Sequence, residues 1–216
     1  MRNYFLLCLF ISMNLVSYGK GIDVKVEKIP CKEEYDGFYL KITIQKGNNI
    51  WVRNTNNYHM EALYDSKLTY NDRLEVVEAL LPCLNDYTLS CKKVDRYYVN
   101  SFQIEYQGMP IPKSKRYNIA VDAMFAINRL FYHAYLHKVS TYPVLFDSSS
   151  MQEVNENPKS LQKMANIYRE WLAERSLTKA TNTLDLILDD LKYFNKGVVK
   201  WWDMMIVSMG IRDSII

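Results

Sequence analysis

Glycine and proline are scarce in this chain, with 7 and 6 residues among 216, and no rich stretch of either, and no repeat, divides it. A linker between domains therefore has no compositional signature here, and one domain is expected. Several catalytic signatures are missing as well. The sequence holds no Gly-x-Ser-x-Gly elbow, no Cys-x-x-Cys, no glycine-rich phosphate loop and no Glu-x-x-His. No cofactor motif is present, and no cofactor is expected. Asn-x-Ser/Thr sequons are absent too, so no glycosylation acceptor is offered.

Charge of one sign is also lacking. The chain carries 27 basic and 24 acidic residues, and no concentrated basic field of the kind a nucleic-acid binder shows. No nucleic-acid partner is expected.

What the sequence does have begins at its first residues. Arg2 precedes the apolar run Phe5-Leu6-Leu7-Cys8-Leu9-Phe10-Ile11, which continues to Val16 and ends in Ser17-Tyr18-Gly19. A positive start, an apolar stretch and small residues at the −3 and −1 places predict a secretory signal peptide over 1–19, cleaved after Gly19. The run is too short for a membrane-spanning helix, which needs roughly 20 apolar residues. Cleavage leaves Lys20 at the start of a single domain over 20–216, in the periplasm or secreted, with no stable membrane anchor. No cysteine directly follows the cleavage point, so lipid attachment is not expected.

Cys31, Cys83 and Cys91 survive cleavage. In an oxidising compartment the near pair, Cys83 and Cys91, is the natural bridge, because its loop is short and closes easily. Pairing of Cys31 with either one is the rival.

Periodicity predicts a fold of α+β class, a small antiparallel sheet from the N-terminal third packed against a helical majority of five to six helices. Alternation marks strands over 22–28 and 38–45, and Gly47-Asn48-Asn49 turns the second back into Ile50-Trp51-Val52. A further strand is expected over 97–107. Helices are expected after Asn57, after Asn71 with Leu74, Val77 and Leu80 inward, and over 117–138 as a broadly apolar central helix. Asn157-Pro158 reads as a cap and first turn, Thr178 as another cap, and 198–209 as a last helix. The polar stretch 147–159 reads as a loop between helical blocks.

Candidate functional residues are few. His133 and His137 lie four apart on a predicted helix, the spacing of zinc-binding histidines, but Ala134 and Tyr135 stand where the zinc-protease pattern needs its glutamate. They are weak metal candidates, and the better reading makes them part of a polar line with Asn118, Asp122 and Arg129, facing solvent or an interface. Lys113, Lys115 and Arg116 form a basic cluster that reads as a solvated loop. Tyrosine is the compositional anomaly, at 17 of 216 residues. Because tyrosine is enriched where proteins meet proteins, Tyr97, Tyr98, Tyr132 and Tyr135, with Arg129, are the candidate contact residues.

These features predict an exported, non-catalytic factor that binds another protein, one version being a periplasmic inhibitor or immunity protein against a toxin. The competing expectation is an exported hydrolase with an irregular site around His133 and His137.

Overall fold

A computed structural model describes residues 21–31, 36–55, 67–93, 114, 116–132, 143–177, 190, 193–194 and 196–201. The described residues form eight strands in two sheets and three α-helices. The class is α+β as expected, but the helical majority of five to six helices is not found. Several segments read as helix or loop are strands, and those expected over 57–68 and from Thr178 fall largely outside the described residues.

The first three strands are β1 (Asp23–Pro30), β2 (Phe38–Lys46) and β3 (Asn49–Asn54). They form the antiparallel meander that alternation predicted, with Val24 opposite Ile44, Val26 opposite Ile42 and Ile44 opposite Trp51. Leu40, Ile42 and Ile44 are fully buried on one face of β2. Gly47 supplies the positive φ, +58°, that the tight β2–β3 turn requires.

A strand has two edges, and β1 occupies one edge of β2 from Phe38 to Gln45. β3 and β4 (Leu89–Lys93) must therefore share the other, β3 along 41–46 and β4 in parallel where Phe38 meets Ser90. β5 (Arg116–Asn118) completes this five-stranded sheet against β4.

Helix α1 (Tyr70–Leu80) begins at Thr69, not at Asn71. Both residues are competent caps, but Asp72 stands three residues after Thr69 and closes a reciprocal capping box with it. At the other end Pro82 has no N–H to donate, and the chain passes into a 3₁₀ turn over Leu81–Asn85. Helix α2 (Ile119–Tyr132) is the central element: from Ile119 to Phe131 every side chain but Arg129 is buried. It touches the sheet, α1 and α3 (Pro158–Leu177), as its apolar breadth predicted. The Asn157 carboxamide oxygen caps α3 through the N–H groups of Lys159 and Ser160, and Pro158 opens it. Leu161, Met164, Ala165, Tyr168 and Trp171 form its buried stripe, as expected.

The second sheet was not anticipated. β6 (Leu145–Asp147) pairs with β7 (Gln152–Glu153) and β8 (Val199–Trp201). The stretch 147–159 is thus a hairpin and a cap rather than a loop between helices. Asp147 shapes the hairpin by accepting from the Ser149 and Ser150 N–H groups, which hold its carboxyl below the usual range. The segment from Val198 does not start a helix: its β-branched and aromatic residues pair against β6 instead.

Candidate functional site

The disulfide joins Cys31 to Cys91, 60 residues apart, with Cα atoms 6.1 Å from each other; Cys83 is free and half-buried. The expected Cys83–Cys91 bridge is therefore corrected. Chain separation favoured the near pair, but topology decides otherwise, because β1 and β4 flank the start of β2 and bring Cys31 and Cys91 together. Gly37 sits between them. A Cβ there would lie 3.0 Å from both the Cys91 nitrogen and the Leu89 carbonyl oxygen, and 2.7 Å from Arg116 Nη2. Arg116 completes this clasp by donating to the carbonyls of Asp36 and, at 2.8 Å, Ser90. The cluster read as a solvated loop thus contributes a structural tie. An oxidised pair is consistent with an exported protein.

The polar line of α2 also differs from its expected setting. Asn118 caps the helix through the Val121 N–H at 2.9 Å and donates to the Asn155 carbonyl at 2.7 Å. Asp122 is 3% exposed and accepts from the Ser90 hydroxyl at 2.5 Å. Arg129 is half-buried, its guanidinium 5.1 Å from the centre of the Phe125 ring. The described part of the line faces the interior because β4 and the loop before α3 close over it. His133, His137, Tyr97, Tyr98 and Tyr135 lie outside the described residues, and the side chain of Tyr132, the last residue of α2, does too. Among the described residues no group of histidine, cysteine and carboxylate side chains is placed to hold a metal ion.

A second buried polar cluster joins α3 to Asp190. The Asp190 carboxylate accepts from Arg175 Nε at 2.6 Å and Trp171 Nε1 at 2.7 Å, with the two charged side chains 2% and 5% exposed. Burial opposes the Arg175 charge, but the Asp190 carboxylate outweighs it and raises its pKa. Tyr70 lies nearby, edge-on to Phe131, and burial, with the Asp190 charge, pushes its hydroxyl up to about 12. One turn earlier on α3, the Tyr168 hydroxyl accepts from Trp201 Nε1 at 2.8 Å and donates to Asn128 Oδ1 at 2.5 Å. Asp190, Arg175 and Trp171, and separately Tyr168, Asn128 and Trp201, hydrogen-bond one another around an aromatic core of Phe131, Tyr168, Trp171 and Phe194. Such a network fixes one packing arrangement.

Among the described residues, the outward face of β1, β2 and β3 is open. Register places Asp23, Gln45 and Ile50 in one row, Lys25, Thr43 and Val52 in the next, and Glu27, Lys41 and Asn54 in the third. Glu27 pairs with Lys25 at 2.8 Å and with Lys41 at 3.8 Å, a charged ladder across β1 and β2. Beside it, on β3, Ile50 is 61% exposed and Val52 43%. Two adjacent β-branched residues on an open sheet face present apolar area next to fixed charges, an arrangement suited to contact rather than chemistry. Sequence reasoning identified this strand but not its outward pair. The signal was present in the alternation, since Trp51 faces inward and its neighbours must face out. No protein family, curated protein or solved structure matches this chain.

Proposed function

We propose that this chain is an exported protein that acts by binding another protein, with the open sheet face at β3 as its contact surface. The observation that carries the reading is the exposure of Ile50 and Val52 in adjacent rows beside the Lys25–Glu27–Lys41 ladder. Contact cores of this kind combine apolar area with a charged rim. The buried carboxylates Asp122 and Asp190 serve internal partners, which makes them supports of the fold. An inhibitor or immunity protein acting in the periplasm is the concrete form of this proposal. It needs a rigid, disulfide-braced surface and no reactive group.

A photo-cross-linking residue at position 52, compared with one at the exposed Lys159 on α3, tests the assignment in the exported fraction. One protein adduct of defined mass at position 52, absent at 159, is expected. Adducts at both positions, or at neither, would overturn it.

A further inference from the structure

We infer that the partner contact at β3 is made by strand addition: an extended segment of the partner protein pairs along the free edge of β3 and brings a carboxylate to Arg53. The inference rests on the contact proposed above for this strand, and names its mode and the chemistry of its occupant.

Hydrogen-bond parity exposes the edge. Just past β3, the Thr55 N–H donates to the Leu40 carbonyl at 2.9 Å, so Thr55 turns its backbone toward β2. Backbone direction alternates along an antiparallel pair. Trp51 and Arg53 therefore also face β2, while Ile50, Val52 and Asn54 turn their N–H and C=O groups away from it. Among the described residues β3 pairs with β2 alone, which leaves that outer row without a strand partner. Ile50, Val52 and Asn54 are all exposed. An unpaired row of donors and acceptors is a template for an added strand.

Arg53 indicates what that strand carries. Its Nη1 donates at 2.8 Å to the Val52 carbonyl, an acceptor of the open row, and its Nε is buried with no hydrogen-bond partner. No ion pair among the described residues includes it. A guanidinium held at the edge with an unused donor is complementary to a carboxylate, which it can grip through parallel hydrogen bonds. An incoming N–H replaces Arg53 at the Val52 carbonyl and releases the guanidinium for that carboxylate. Ile50 and Val52, projecting on the open face, meet the alternate side chains of the same strand.

The test is a displayed library of random short peptides, selected in parallel on the full chain as wild type, Arg53→Gln and Val52→Pro. Proline at position 52 removes an edge N–H that β2 does not use. Wild type should enrich peptides with β-branched residues at alternate positions and an Asp or Glu among them. Arg53→Gln should bind those peptides about ten-fold or more weakly, the loss of a hydrogen bond to a charged group, and Val52→Pro should lose them. Hydrogen exchange on the wild type needs no variant. The enriched peptide should slow the amides of Ile50, Val52 and Asn54 and leave those of Trp51 and Arg53 unchanged. No enrichment, equal binding to Arg53→Gln, or protection away from positions 50, 52 and 54 would overturn strand addition. A single adduct at position 52 alongside any of these results leaves the face contact standing and removes only the edge pairing.

Discussion

Loss of the Cys31–Cys91 bond should be strongly damaging, and its size distinguishes the observed pairing from the near one. The bridge closes a segment of 60 residues. Loop-closure entropy for that length corresponds to about 4 kcal/mol, against about 2.5 kcal/mol for a loop of about nine residues between Cys83 and Cys91. Replacing both Cys31 and Cys91 with alanine should then lower the melting temperature by roughly 8–16 °C, at about 2–4 °C per kcal/mol for a domain of this size. Cys83→Ala removes only a half-buried thiol and should cost no more than about 1 kcal/mol. Urea denaturation of the oxidised wild type and the two variants measures both effects, and non-reducing peptide mapping identifies the bond. The reasoning fails if Cys83→Ala is as damaging as the double substitution, or if mapping links Cys83 to Cys91.

Asp190→Asn leaves the Arg175 charge buried without its counter-ion, and should cost about 3–5 kcal/mol in a denaturation experiment; a loss under about 1 kcal/mol would contradict the buried pairing. Acid should act at the α1 cap. Burial works against the Asp72 charge, but Lys46 at 2.5 Å and the Thr69 hydrogen bonds outweigh it and lower its pKa. A depressed folded pKa gives stability that is complete above the unfolded value, near 4, and is lost as pH falls through the lower folded value. Asp72→Asn should therefore be less stable at neutral pH and show a shallower acid limb, checked by melts from pH 7 to about 2; an unchanged limb would refute the assignment.

Local signals were legible in the sequence at the first meander and at the start of α3, but not at the α1 cap, where Thr69 and Asp72 close the capping box in place of Asn71. Alternation from Asp23 to Lys46 with a glycine turn is enough to form the meander, and Asn157-Pro158 is enough to start α3. Pairings between distant segments were not legible. Strands of two or three residues, such as Leu145–Asp147 and Gln152–Glu153, are too short to show a period, and exist because β8 and the hairpin turn complete them. The disulfide belongs to the same class, since only the flanking of the start of β2 by β1 and β4 brings Cys31 to Cys91. Burial of Asn118 and Asp122 was missed for a related reason: helical spacing places them on one line but says nothing of Ser90 and Asn155, which cover it. Within the candidate contact face, strand and turn were evident from sequence, while the rows uniting Ile50 with Gln45 and Val52 with Thr43 required the register.

Binding of a protein partner through β3 is tested most directly by isolating the protein from its own exported fraction, as wild type and as the Ile50→Lys/Val52→Lys double variant. Both substitutions lie on the exposed face, so the two forms should melt within about 2 °C of each other, as ordinary surface changes do. The account predicts that the wild type retains one protein at fixed stoichiometry through size-exclusion chromatography and that the variant elutes without it. A wild type that elutes alone, or a variant that keeps the same partner at the same stoichiometry, would contradict it.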